Sequence, residues 1–446
     1  MKQTPLYDAL NEYIGKDWAR FHMPGHKGAA IGPLAQVLPY DVTEVEGTDS
    51  LFEDDGPLAE LEAQFTQLYG TKGTMLSAGG STLCIQTMLK LVGHPGATII
   101  AGRNIHTSAV NTMSLLDLHP VWLYPNRENE RLIGRIEASQ VEEALLQHPD
   151  ACGVYITCPD YFGVCSDIGA ISCVCKKYNV PLLVDNAHGA HLKFLSDDVT
   201  SQPLHPMDLG ADLCCDSLHK TLPVCTGGAL LHCNREEYAK RAKRDMTLFG
   251  STSPNYLIML SADYTCGWLQ GEGPALLSQT ARRCQELKNV AKECGFHVAE
   301  GLSDPMRITL VLTGTGYTKE TFREELRRHG IMEEFLSENG CVFLCSPFNR
   351  EEDYKRLECL FRDCKPQQQE YHPYPMLHPE SVMSIRDAMF SQWETISVDD
   401  ADGRIAAEVQ SPCPPGIPLV MPGERICKKY IKILKGYGIF LIRVVQ

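Results

Sequence analysis

Asp216-Ser217-Leu218-His219-Lys220-Thr221-Leu222 follows a short apolar run, Ala211 to Cys215, that reads as a buried strand. Thr226-Gly227-Gly228 then makes a tight turn into a further strand-like run, Ala229 to His232. Upstream, Val180-Pro181-Leu182-Leu183-Val184 is another apolar run, and it ends in Asp185-Asn186-Ala187-His188-Gly189. An acid thus closes one strand, and an amine follows a later one. Moving outward, Thr98 to Ala101, Pro120 to Tyr124 and Cys152 to Thr157 are strand candidates. Pro57 to Tyr69, Glu137 to Gln147 and Asp167 to Tyr178 have helical spacing, with Pro57 suiting a first turn and Gly70 an end. This alternation predicts an α/β fold with a mostly parallel sheet covered by helices on both faces. Ligands of such sheets bind beyond the carboxyl ends of the strands, where Asp185 and Ser217 to Lys220 fall.

The character changes after about residue 280. Pro305 to Thr313 is strand-like, Lys319 to His329 helical, and Cys341 to Cys345 strand-like again, which predicts a smaller α+β domain. Lys365 to Glu370 is polar and reads as a linker to a turn-rich tail. The expected division is an N-terminal segment at 1–45, a major domain at 46–280, a small domain at 281–364 and a C-terminal segment at 365–446. A chain of 446 residues is too long for one ordinary core.

The net charge of −15 argues against a nucleic-acid partner, because phosphate backbones are met by clustered Lys and Arg. Met1 to Tyr7 lacks the apolar core of a signal peptide, and no stretch of 18 apolar residues offers a membrane span. A cytoplasmic location is expected. The 19 cysteines then read as reduced thiols; Cys173, Cys175, Cys214 and Cys215 lack the usual metal spacing. No metal is expected.

Asp185 and Lys220 are the residues that pyridoxal phosphate requires. The lysine forms an imine with its aldehyde, and the acid keeps the pyridine nitrogen protonated so that the ring accepts electrons. Partial desolvation of such an amine favours its neutral, nucleophilic form. Ala78-Gly79-Gly80-Ser81-Thr82 opens a helical stretch whose N–H groups suit a phosphate, although the same residues also make an ordinary cap. Ser217 and His219 are further candidate phosphate donors. His106, in Arg103-Asn104-Ile105-His106, is a candidate to stack on the ring, and His188 to touch the ring or the substrate carboxylate. A histidine in a loop is also commonly just solvated.

Together these segments resemble the Orn/Lys/Arg decarboxylase family, fold-type-I pyridoxal-phosphate enzymes. The resemblance extends to Phe21-His22-Met23-Pro24-Gly25-His26-Lys27-Gly28, Asp41 to Gly47, Ser251-Thr252-Ser253-Pro254-Asn255-Tyr256, Pro414-Pro415-Gly416-Ile417-Pro418 and Pro422-Gly423-Glu424. It implies an aspartate-aminotransferase-like major domain. Lys220 becomes the imine-forming lysine, Asp185 the nitrogen partner and His106 the stacking ring. Gly80, Ser81, Thr82, Ser217 and His219 lie round the phosphate, and Ser251 and Thr252 reach it from a neighbouring subunit of a homodimer. Asn186 departs from the family's frequent Glu, and Leu218 from its frequent Thr. The chain resembles the short form, without an N-terminal receiver-like domain.

The activity so implied is α-decarboxylation of a basic amino acid, arginine or lysine ahead of ornithine, as in polyamine biosynthesis. Lys220 and His219 are both candidate donors of the proton returned to Cα. Glu44, Glu46, Asp49, Glu53, Asp54, Asp55 and Glu424 are candidate carboxylates for the cationic side chain, and acidic clusters are also ordinary solvated faces. Because the fold hosts several reactions, transamination or β-elimination is the alternative, with Arg307 as a possible grip on an α-carboxylate. A non-catalytic pyridoxal-phosphate-binding protein is the third reading.

Overall fold

The computed structural model describes residues 4–53, 55–126, 134–299, 301–367, 378–411 and 418–446. Asp54, the end of the expected linker and most of the Pro414 to Pro418 motif lie outside the described residues. The chain forms two compact units, Met1–Leu91 with Leu183–Arg283, and Val92–Leu182 with Cys284–Gln446.

The strands of the major sheet are β1 (Gly73–Ser77), β2 (Thr98–Gly102), β3 (His119–Leu123), β4 (Val154–Thr157), β5 (Leu182–Asp185), β6 (Leu213–Asp216) and β7 (Ala229–Cys233). In the first unit the order is β1-β7-β6-β5. Strands β5 and β6 run parallel with Asp185 opposite Cys215, while β7 opposes both β6 and β1. In the second unit the order is β4-β2-β3, and all three are parallel. Every residue of β5, β6 and β7 is buried, as continuous apolar runs in a sheet covered on both faces require. Strand β1 was not expected from the sequence.

Local signals set the helices. Helix Gly56–Tyr69 has proline in its first turn and ends at Gly70 in the left-handed region, φ 70°. It buries Leu58, Leu61, Phe65 and Tyr69, the i, i+3, i+4 stripe of an amphipathic helix. Helix Gly80–Val92 starts directly after β1.

Within the second unit, β8 (His297–Val298), β9 (Arg307–Val311), β10 (Phe335–Leu336) and β11 (Gly340–Leu344) form an antiparallel sheet of order β10-β11-β9-β8. Leu310, Phe322, Phe343 and Phe361 belong to its core. The tail expected to be turn-rich also contains an antiparallel pair, β12 (Trp393–Ser397) with β13 (Leu441–Val445), and the helix Lys428–Gly436. Val420, Ile426, Leu434 and Ile442 make a small core there. No helix among the described residues is long and apolar enough to cross a membrane.

Candidate active site

Asp185 closes β5 and is 2% exposed. Its Oδ1 accepts the Ala187 N–H at 3.1 Å and lies 3.5 Å from the Cys215 thiol. Burial, then the Asp185 charge, pushes the Cys215 thiol well above the usual range, so it stays a neutral donor to the carboxylate.

One strand over, β6 ends at Asp216 and leads through buried Ser217 into the single helical turn Leu218–Thr221. Leu218 is fully buried and anchors that turn, and its N–H donates to the Gly228 carbonyl at 3.0 Å. His219 Nδ1 lies 3.3 Å from Ser217 Oγ and 3.2 Å from the same carbonyl. Burial, with Lys220 alongside, holds His219 below its ordinary pKa, so the ring is neutral near pH 7. The turn carries Lys220 toward the loop after β5, where its Nζ is 3.1 Å from His188 Nε2. Asp185, His188, Ser217, His219 and Lys220 therefore all belong to neighbouring strand ends of one unit.

The glycine-rich loop is tied into the same frame. Gly80 sits at φ 70° and donates its N–H to the Gly227 carbonyl at 2.7 Å. Among the described residues, a Cβ built on Gly80 would meet nothing within 4 Å. Ser77 Oγ donates to the Gly80 carbonyl at 3.0 Å, which steadies the first turn of helix Gly80–Val92. Partly exposed Ser81 and exposed Thr82 stand at that N-terminus, where backbone donors and the helix dipole favour an anion. An amine, a buried acid and a helix N-terminus with open space beside Gly80, joined through Gly80, Gly227, Gly228 and Leu218, fit pyridoxal phosphate.

The remaining candidates each have their own setting. Ser251 and Thr252 are exposed. In the second unit His106 is exposed and caps helix Thr107–Leu116, its Nδ1 lying 3.2 Å from the Ser108 N–H and 2.8 Å from Ser108 Oγ. Glu424 is not an open carboxylate. It is 2% exposed, and Arg103 Nη2 reaches its two oxygens at 3.1 and 2.9 Å. The Met421 N–H donates to it at 2.7 Å as well. Arg103 and the Met421 N–H thus meet its charge inside the chain. Arg307 is 2% exposed rather than a surface charge, and its Nη1 donates to the carbonyls of Asp160 at 3.0 Å and Tyr161 at 2.8 Å. Glu44, Glu46, Glu53 and Asp55 are exposed, and burial with nearby Asp55, Glu53 and Glu60 raises Asp49. Sequence reasoning passed over Arg103 as the partner of Glu424. It also passed over Asp216, which meets His205 and His232 in the core; two histidines flanking one buried acid have no local spacing signal.

The major-domain model of Orn/Lys/Arg decarboxylase matches residues 4–300. The chain belongs to the Orn/Lys/Arg decarboxylase family. The C-terminal domain of the same decarboxylase matches residues 365–438. An arginine decarboxylase of Bacillus subtilis is 30% identical, with 97% of this chain and 93% of that protein covered. The constitutive lysine decarboxylase of Escherichia coli is 21% identical over 96% of this chain and 76% of its own length. Among solved structures, an E. coli constitutive lysine decarboxylase superposes with a TM-score of 0.83 at 19% identity, covering 100% of this chain and 82% of that one. A Francisella novicida lysine decarboxylase gives 0.85 at 17% identity, covering 99% and 81%. These likenesses establish the fold of this decarboxylase-family chain as the pyridoxal-phosphate fold type I.

Proposed function

We propose that this family member decarboxylates a basic amino acid at Cα with pyridoxal phosphate, using Lys220 as the covalent anchor. The observation that carries the reading is the meeting of Lys220 Nζ with His188 Nε2 at 3.1 Å, three residues after buried Asp185. Pyridoxal phosphate, when bound, supplies the electron sink for the bond that breaks. The chain supplies the rest. Asp185 is the acceptor that keeps the pyridine nitrogen protonated. Ser81, Thr82 and the N–H groups of the helix starting at Gly80 hold the phosphate, with Ser217 and His219 beside them. His188 orients the Lys220 amine, with its Nε2 within hydrogen-bonding reach of the amine proton. Lys220 or His219 returns the proton to Cα.

Arginine is the first substrate to try, since relatives 30% and 29% identical carry the name arginine decarboxylase. Lysine follows and ornithine comes behind. The amine product would place the enzyme in polyamine formation in the cytoplasm. A homodimer would bring exposed Ser251 and Thr252 to a neighbouring phosphate; His106 is the candidate to stack on the cofactor ring. Arg307 no longer favours transamination, because Nη1 is committed to two backbone carbonyls.

The test is to incubate purified holoenzyme with arginine, lysine and ornithine separately. Carbon dioxide and the matching amine should form without keto acid, and Lys220→Ala should abolish both turnover and borohydride trapping of the cofactor. Keto-acid formation, or an active Lys220→Ala enzyme, would refute the proposal.

A further inference from the structure

Behind the candidate site, Asp216 is fully buried with His205 and His232, both also 0% exposed. His205 Nε2 and His232 Nε2 approach the same oxygen, Oδ2, at 3.0 and 3.2 Å. The other oxygen, Oδ1, accepts Asn186 Nδ2 at 2.6 Å and faces the Cys214 thiol at 3.8 Å. Tyr69 packs its ring 4.2 Å from that of His232 and 5.3 Å from that of His205.

Three such groups have the composition of a metal site. The far nitrogen of His205 argues otherwise. His205 Nδ1 faces the Met207 N–H at 3.3 Å, so Nδ1 holds the lone pair and Nε2 the proton. His232 Nδ1 faces Thr74 Oγ1 at 2.9 Å, a hydroxyl able to donate. An Nε2 that carries a proton cannot ligate a metal, and it can donate to a carboxylate. Both oxygens of Asp216 are therefore served by N–H groups, which is what a buried anion requires.

The consequence lies in what Asp216 connects. Asn186 immediately follows Asp185, and Asp216 stands four positions before Lys220. The Asn186 N–H also donates to the Cys215 carbonyl at 3.0 Å. We propose that Asp216 is a positioning residue, whose carboxylate, gripped by His205 and His232, holds Asn186 and so fixes the end of β5 carrying Asp185 against the end of β6 carrying Lys220. This rests on Asp185 and Lys220 being the cofactor residues. It also accounts for the departure at 186. The family's frequent Glu would set a second carboxylate against Asp216, whereas the Asn amide donates to it.

The experiment exchanges the two partners. Borohydride reduction and peptide mapping of wild-type holoenzyme first establish Lys220 independently; label found elsewhere would overturn the underlying site reading, not the clamp alone. Asn186→Asp then places two carboxylates together. It should lower kcat/KM by roughly tenfold to a hundredfold, as small misplacements of reacting groups do, and shift the pH titration of the bound cofactor's visible band. The double variant Asn186→Asp with Asp216→Asn restores the link with reversed polarity, and should bring both readouts back to within about threefold of wild type. Asn186→Ala, which cuts the tie without adding charge, should shift the band the same way and serves if Asn186→Asp does not fold. Variants that lose thermal stability while the titration of the band stays fixed, or a double variant no better than the worse single one, would overturn the proposal. Stoichiometric zinc in the wild-type holoenzyme that disappears in Asp216→Asn would overturn it too.

Discussion

Lys220 Nζ and His188 Nε2 stand 3.1 Å apart although 32 positions separate them in the chain. The contact forms because β5 and β6 are parallel neighbours, so the loop after one and the helical turn after the other open at the same end of the sheet. It sets the His188 ring within hydrogen-bonding reach of the lysine amine. His188→Ala should lower kcat by about a hundredfold, the lower range for loss of a positioned acid–base group. His188→Gln, which keeps a hydrogen-bonding atom in reach, should recover part of the loss. Steady-state kinetics against arginine and lysine check both.

The buried Arg103–Glu424 pair contributes to stability through its mutual charge compensation. Both side chains are more than nine-tenths buried. Glu424→Gln strands the guanidinium and should cost about 3–5 kcal/mol, the usual result of removing one partner of a buried pair. Replacing both, Arg103→Met with Glu424→Leu, should cost far less. Urea unfolding of the four proteins measures the difference, and substrate KM should not follow Glu424 through a specific loss of cationic recognition.

Gly227 has φ 104°, and a Cβ there would lie 3.0 Å from Ile258 Cδ1 and 3.5 Å from the Ala78 carbonyl oxygen. Gly227→Ala therefore forces a strained backbone and pushes on the loop tied to Gly80. The cofactor Kd, titrated into apoenzyme, should rise about tenfold, which corresponds to roughly 1.4 kcal/mol.

Asp263 is buried on helix Tyr256–Gln270, and its Oδ2 accepts the Tyr7 N–H at 2.8 Å at the start of helix Pro5–Gly15. Burial, aided by the charge of Asp8 and opposed by the Tyr7 and Leu6 N–H groups, pushes its pKa up to about 7. The folded protein then binds a proton that the unfolded chain releases around the ordinary aspartate value, 3.8. The resulting contribution to stability is complete below about pH 3.8 and is lost as pH rises to about 7. Asp263→Asn keeps the acceptor and removes the titration, so urea midpoints measured from pH 4 to 8 should decline less steeply in the variant.

Much of the major sheet was legible because its signals are local. Pro57 and Gly70 punctuate one helix, and apolar runs mark β5, β6 and β7. Lys220 and Asp185 could be singled out because each ends or follows such a run. What escaped depends on distant pairing. Strand β1, Gly73-Thr74-Met75-Leu76-Ser77, becomes a strand by lying against β7, far along the chain. Strands β12 and β13 likewise pair from opposite ends of the tail. Arg103 reaches Glu424 across 321 positions, so no local spacing announced that ion pair. Asp216 was part of the first motif quoted, yet its two histidines lie on other segments, and no spacing rule links them.

The thiols carry a practical consequence. Burial pushes Cys84 and Cys215 upward and Cys233 up to about 12, which leaves them unreactive toward alkylating reagents. Cys225, by contrast, is exposed in the short segment between Lys220 and Gly227, its N–H resting on Ser261 Oγ at 2.9 Å. Nature has left a chemical handle five positions from the Lys220 amine. Its labelling rate, followed by mass spectrometry as cofactor or amino acid is added, would read the breathing of that segment without any engineered probe.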